Sequence, residues 1–439
     1  MPLHIAIIGS GPIGLEAALY ARTLNHTVTV YDHGDIAANV LSWNFVRLFT
    51  PWPMNTTPLG RATLSKEFPA SIHPTGTQLR DEYLLPLAAS ALLRDSMRPH
   101  HRIITIGRAD YHKADAIGKP ARGQSPFRLL LTDPDGRERF DTADIVLDCS
   151  GTYGHHRFAG RGGIPALGER AAANRLHYIL PDILHRDRDR FANRHSLLLG
   201  CGFSAATVLR DFAELHRTAP QTRVTWATRR DGQALHAIAN DPIPGRRDLI
   251  DATLSFTQSP PPWLTLLKGA ALEAIAPSPV GSALRTTLSG SKVTAAVFSG
   301  SQEAVRSADP PADGGPLALH FTTPDGPRQI IADECIPLVG YSPDASLYDQ
   351  LQIHQCYATH GPIKLAAALL GATTGNDCLI AGSALSPDTL KNPEPHFYLL
   401  GAKSYGTNSN FLLQTGHQQI RDVFQIIQQD AALDLYKME

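Results

Sequence analysis

The stretch SLLLGCGFSAATVLRDFAEL, Ser196 to Leu215, reads as a buried strand, a glycine turn and a helix, and HIAIIGSGPIGLEAALYARTL, His4 to Leu24, has the same pattern near the start of the chain. The first copy carries Gly9, Gly11 and Gly14, the second Gly200, Gly202 and Ala205, so the turns lie 191 positions apart. A second pair of segments keeps nearly that offset. FRLLLTDPDGRERFDTADIVLDCSG (Phe127 to Gly151) is echoed by LALHFTTPDGPRQIIADECIPLVGY (Leu317 to Tyr341), each a strand, a Pro-Asp-Gly turn, a strand, and an apolar strand ending in or near glycine. The turn glycines Gly136 and Gly326 are 190 positions apart, and Gly151 and Gly340 are 189 apart. One offset shared by four landmarks marks a duplication. The expected fold is α/β, with two Rossmann-like dinucleotide-binding domains, the second inserted in the first, each with an antiparallel β-meander.

Composition fits this reading. The chain has 439 residues, 43% of them hydrophobic, enough for two or three cored domains. Its 40 basic and 41 acidic residues give a formal charge of -1, which offers no electrostatic footprint for nucleic acid or an anionic membrane. Five scattered cysteines (Cys149, Cys201, Cys335, Cys356, Cys378) include no CxxC pair, so reduced thiols in the cytoplasm are expected rather than a disulfide framework or a zinc ribbon. With the run IAIIG starting at Ile5, no secretory leader is expected, and no stretch approaches the roughly 20 apolar residues of a membrane span. The pairs His100–His101 and His155–His156 are adjacent in sequence, which sends their side chains in different directions, and no metal is expected.

In the first turn Gly9 permits the tight bend, Gly11 lets a pyrophosphate approach the backbone, and Gly14 lets helix and strand pack closely; Pro12 and Ile13 open the helix whose N-terminus favours an anion. The next strand, HTVTVYD, ends at Asp32, 23 residues after Gly9. A carboxylate there accepts ribose hydroxyls and repels a 2'-phosphate, which suits FAD or NAD; as the N-terminal copy of a doubled chain, FAD is expected. In the second copy the corresponding strand, TRVTWATRRDG, ends in Arg229 and Arg230 before Asp231. Guanidinium groups bind phosphate bidentately and stay charged, so this tip is expected to hold the 2'-phosphate of NADPH.

The whole chain resembles two-dinucleotide-domain flavoproteins, and its middle is most similar to the flavin-containing monooxygenase branch, with its amine, sulfide and N-hydroxylating relatives. LLLGCGFSAA resembles that branch's NADPH turn, with Ser204 and Ala205 after the second glycine. DCSG, ending at Gly151, and LVGYSPD resemble its strand-to-linker motifs, and FYLLGAKSYG, with Gly401, the last strand approaching the isoalloxazine. Two departures stand out. Ala171 and Ala173 occupy places where many monooxygenases have phenylalanine and glycine, leaving His177 alone of that signature, and Ala402 follows Gly401 where many flavin reductases have aspartate.

The resemblance implies an FAD-dependent, NADPH-consuming monooxygenase that uses O2 to oxygenate a small N- or S-containing nucleophile through a flavin hydroperoxide. It implies domains at 1–160 (FAD, first part), 161–327 (NAD(P)H) and 328–439 (FAD, second part). It also implies that Asn55, in the loop VRLFTPWPMNTTPLGR, approaches the flavin as its catalytic amide; the alternative is that Asn55 caps a turn in that proline-rich loop. Asn410 and Phe411 are expected at the start of the final helix, whose first N–H groups would face the flavin's pyrimidine edge. A disulfide reductase would need a redox cysteine close after the first helix, and Asp32 to Arg47 contains none. The rival reading is an NAD(P)H-dependent flavin reductase or oxidase passing electrons to a quinone or O2.

Overall fold

The structure, a computed structural model, describes residues 2–230, 241, 243–278, 315–371 and 386–437. Asp231, Cys378 and most of the proline-rich run from Arg306 to Pro316 lie outside the described residues. The chain divides into two compact units, Met1–His155 with Tyr341–Glu439, and His156–Gly340. The second junction lies beyond the expected 327/328 boundary for a topological reason: position 328 falls inside a hairpin strand whose successor pairs into the sheet of the second unit.

The first unit is built on a five-stranded parallel sheet. Its strands are β1 (His4–Ile8), β2 (Thr27–Tyr31), β3 (Met97–Arg98), β7 (Ile145–Asp148) and β15 (Phe397–Leu399), in the order β15-β7-β1-β2-β3. Strand residues alternate faces. Ile5 and Ile7 therefore enter the core shared with helix α1 (Pro12–Thr23) and the C-terminal helix Leu413–Gln428. Ala6 and Ile8 enter the core beneath an antiparallel meander of β4 (Arg102–Arg108), β5 (Phe127–Thr132) and β6 (Glu138–Ala143).

The second unit repeats the plan. Strands β8 (His195–Leu199), β9 (Arg223–Thr228), β10 (Leu264–Lys268) and β14 (Glu334–Pro337) form a parallel sheet in the order β10-β9-β8-β14. Leu198, Val224 and Trp226 pack with helix α2 (Phe203–Thr218), while Leu197 and Leu199 pack toward the meander of β11 (Ala271–Pro277), β12 (Leu317–Thr323) and β13 (Gly326–Ala332).

The repetition extends to single hydrogen bonds at the strand starts. The His4 amide donates to Asp144 Oδ2 at 2.8 Å while its Nε2 meets Thr29 Oγ1 at 3.1 Å; in the second copy His195 makes the same bonds to Asp333 at 3.0 Å and Thr225 at 2.8 Å. Each aspartate amide returns a bond to the histidine carbonyl, at 2.9 and 2.8 Å. These brackets start the central strands of both sheets in the same register.

The helical segment that contains Pro86 is continuous. It runs Gly76–Leu79 as α-helix, Arg80–Leu84 as a π-helical turn and Leu85–Ala89 as α-helix. Proline cannot donate, and the wider turn before it accommodates that loss.

Candidate dinucleotide-binding sites

At the carboxyl end of β1 the chain turns into α1 through Gly9, whose φ of +99° is open to glycine at little cost. A Cβ on Gly14 would sit 1.9 Å from the Gly9 carbonyl oxygen, so helix and turn could not approach as they do. Gly11 differs: nothing lies within 4 Å of where its Cβ would be. It is the N-cap of α1, no side chain caps the helix, and Pro12 stands at N1, leaving the first-turn N–H groups beside open space. That arrangement fits a diphosphate held against the helix N-terminus.

Asp32, just past β2, frames the other side of this turn. Its Oδ2 accepts from both the backbone N–H and the hydroxyl of Ser10, each at 2.7 Å, and its Oδ1 accepts from the Gly34 N–H at 3.0 Å. A carboxylate has about four acceptor positions, so capacity is left for a ribose hydroxyl.

The second copy has the same turn with a different tip. Gly200 has φ +118°, and a Cβ there would lie 2.2 Å from Leu338 O; Gly202, the N-cap of α2, faces open space as Gly11 does. Ser204 lies in the first turn of α2, and Ala205 is fully buried where the first copy has Gly14. The Trp226 indole N–H donates to the Gly200 carbonyl at 2.7 Å and steadies the turn. Cys201, the counterpart of Ser10, is exposed. Beyond β9, Arg229 and Arg230 are exposed, and neither pairs with a carboxylate among the described residues. His177, by contrast, is engaged in structure: its Nε2 lies 2.8 Å from Glu334 Oε2, which also receives Arg190.

The remaining first-copy residues fall into two groups. Gly151 (φ +71°) follows β7 at the edge of the first unit, and Gly401 (φ +71°) follows β15, its N–H donating to Gln419 Oε1 at 2.9 Å. A Cβ on Gly401 would meet Ile13 at 3.2 Å, so these two expected residues are neighbours. Phe411 sets its ring edge-on to Tyr405 at 5.4 Å, and the Asn410 N–H donates to Asn408 Oδ1 at 3.0 Å. The final helix starts at Leu413, later than expected, so its first-turn N–H groups belong to Leu413 onward and Asn410 and Phe411 precede it.

Asn55 is 2% exposed, and its amide is fully engaged by its own loop. Nδ2 donates to Thr50 O at 2.8 Å and Pro51 O at 2.9 Å, while Oδ1 accepts from Thr50 Oγ1 at 2.8 Å. Both amide protons are donated within the loop, which is the bonding the turn-capping alternative expects.

Sequence reasoning missed a buried ion pair. Lys403 Nζ lies 2.7 Å from Asp148 Oδ2 and donates to Ser150 Oγ at 2.9 Å, and neither charged side chain is more than 1% exposed. The pair joins the end of β7 to the turn after Gly401. A lysine two places after a strand-end glycine and an aspartate closing an apolar strand were the signals available.

None of the four described cysteines is in a disulfide. Burial pushes the Cys149 thiol well above its usual range, with the Asp148 charge adding to it, so it is a poor nucleophile. Among the described residues no group of three or more His, Cys, Asp or Glu is placed to hold a metal ion, and no helix is long and apolar enough to cross a membrane.

No protein-family profile matches the chain. In sequence it is similar to the flavin-containing monooxygenase FMO GS-OX5 of Arabidopsis thaliana, 23% identical over 223 residues that cover 48% of this chain and 46% of that protein. The chain spans about half the length of the curated relatives it matches. In structure it is similar to a bacillithiol disulfide reductase from Bacillus cereus (TM-score 0.64, 14% identity, 97% of this chain and 99% of that one). It is also similar to the ornithine N-hydroxylase of Kutzneria sp. 744 (TM-score 0.58, 13% identity, 98% of this chain and 99% of that one). The fold is the one these solved structures share, with two dinucleotide-binding-type α/β units in one chain. The likeness in sequence is to flavin-containing monooxygenases.

Proposed function

We propose that the protein is an FAD-dependent, NADPH-consuming monooxygenase acting on a small N- or S-containing nucleophile with O2. The observation that carries this reading is the contrast between two equivalent strand tips. Asp32 closes the first turn with a carboxylate that would repel a 2'-phosphate; Arg229 and Arg230 close the second with exposed guanidinium groups that would attract one. The likeness in sequence to flavin-containing monooxygenases supports oxygenation over simple electron transfer.

In this reading FAD is held by Gly9, Gly11, Pro12, Ile13, Gly14 and Asp32, with Gly151, Gly401, Asn410 and Phe411 beside its flavin end. NADPH is held by Gly200, Gly202, Ser204, Ala205, Arg229 and Arg230. Bound FAD would supply two-electron transfer and the activation of O2, chemistry that protein side chains do not carry. The chain's own work is to direct the α1 and α2 N–H groups at diphosphates, to take ribose hydroxyls on Asp32, and to hold the adenosine phosphate by charge. Asn55 contributes by fixing the shape of its loop, and the buried Asp148–Lys403 pair by fixing the end of β7 against the Gly401 turn.

The purified protein should be yellow, oxidise NADPH faster than NADH, and turn a small amine or thioether into oxygenated product in step with NADPH used. NADPH consumption that yields only hydrogen peroxide, or that reduces a quinone, would replace this reading with the reductase or oxidase one.

A further inference from the structure

Helix α1 is buried along nine consecutive residues, Ile13 to Ala21, and one of them is Glu16, 1% exposed. An isolated carboxylate in such a place is costly, so its partners define what it does. Oε2 accepts from Thr57 Oγ1 at 2.9 Å, and Oε1 is hydrogen-bonded to Tyr83 Oη. Tyr83 Oη in turn accepts from the Thr57 backbone N–H at 3.1 Å, closing a ring of three residues.

Each member is held by its own element. Tyr83 stands in the π-helical turn Arg80–Leu84, a rare conformation that re-aims side chains. Thr57 caps the short helix Pro58–Leu64 by accepting from the Gly60 N–H at 2.9 Å, and a Cβ on Gly60 would strike Tyr83 Oη at 1.9 Å. Two residues before Thr57 is Asn55, which ties the turn back to Thr50 and Pro51. Three segments distant in sequence thus meet at one carboxyl group, and none of their polar atoms is needed for the dinucleotide contacts above.

We infer that Glu16 is the positioning residue of the Thr50–Thr57 segment, its carboxyl fastening Thr57, and through it the turn held by Asn55, to helix α1. That this segment faces a flavin rests on the function proposed above; the fastening to α1 does not.

The groups facing Glu16 are Tyr83 from the π-turn, Thr57 and Arg61 from the segment and its following helix, and Tyr436 near the C-terminus. Burial outweighs the hydrogen bonds and the Arg61 charge, and pushes the carboxyl up to about 7. Loss of the proton then leaves a desolvated charge in the ring. A buried charge gains by reaching water, so the fastening loosens as pH rises through neutrality.

Trp52 is a built-in reporter, 2% exposed and packed on Phe68 with ring centroids 4.2 Å apart. Acrylamide quenching would be followed against pH in the holoprotein and in Glu16→Gln and Thr57→Val variants, with Trp52→Phe subtracting Trp43, Trp226 and Trp263. Quenching of Trp52 should rise through neutrality in the natural protein, stay low throughout in Glu16→Gln, and stay high throughout in Thr57→Val, which keeps the shape but lacks the hydroxyl. Identical profiles in all three would overturn the inference, and Thr57→Val decides alone if Glu16→Gln does not fold. The visible band of bound flavin, recorded in the same samples, separates the two claims. If it moves with the Trp52 midpoint, the segment faces the flavin. If Trp52 responds and the band does not, or no flavin is present, Glu16 still positions the segment and it is the functional reading that fails.

Discussion

The Asp148 carboxylate and the Lys403 ammonium lie 2.7 Å apart with neither side chain reaching solvent. Removing one member of such a pair strands the other charge, which typically costs about 3–5 kcal/mol, whereas replacing both by apolar groups is often neutral. Lys403→Met or Asp148→Leu alone should therefore lower the denaturation midpoint sharply and reduce flavin content. The double variant should recover most of the stability in urea unfolding. Double-variant stability equal to the sum of the two losses would show that the pair is not coupled.

Glycine substitutions separate folding from binding. A Cβ at Gly11 or Gly202 would enter open space, so alanine there should change thermal stability little. The same methyl group would occupy the approach to a diphosphate. Gly11→Ala should thus abolish flavin retention while leaving NADPH affinity intact, and Gly202→Ala should do the reverse, by visible absorbance and nucleotide titration. Gly14→Ala, with its 1.9 Å clash against Gly9 O, should lose the fold of the first unit instead.

Cofactor preference is predicted to reside at the tip of β9. Replacing Arg229 and Arg230 together by alanine should lower kcat/KM for NADPH by at least tenfold, an effect of about 1.4 kcal/mol or more in transition-state stabilisation, and leave NADH nearly unchanged. The ratio of the two constants, measured at fixed ionic strength, checks this. An unchanged ratio would remove the arginines from the site.

Glu16 gives a pH-dependent stability with a defined sign. Its carboxyl is raised from 4.5 to about 7 in the folded chain, so between those values the native state holds a proton that the unfolded state has lost. The stability this contributes is complete below pH 4.5 and is lost as pH rises through about 7, an upper bound of about 3 kcal/mol. Urea midpoints of the natural protein minus those of Glu16→Gln should fall across that window and level off above it.

Local chemistry made the two turns legible in sequence. The spacing of Gly9, Gly11 and Gly14, and of Gly200, Gly202 and Ala205, follows from a bend, a close approach and a helix contact within six residues. The meanders were equally legible, because a Pro-Asp-Gly turn between alternating strands acts locally. The final helix begins after Asn410 and Phe411, at Leu413, and its start was not legible because the N-cap, Leu412, contributes no side-chain bond. The Asp148–Lys403 pair and the Glu16–Thr57–Tyr83 ring were not legible, since Thr57 and Tyr83 lie 41 and 67 positions from Glu16 and no periodicity links them. A single acid inside GLEAALYA was the one local hint.

The strand brackets formed by His4, Thr29 and Asp144, and again by His195, Thr225 and Asp333, make the chain its own calibrated comparison. With the register shared, chemical differences between the sites concentrate at interchangeable ends: Ser10 and Asp32 in one copy, Cys201 and Arg229–Arg230 in the other. Under the proposed function, nucleotide preference would be rewritten at those ends like a label on a standard fitting, without re-cutting the strands that carry it.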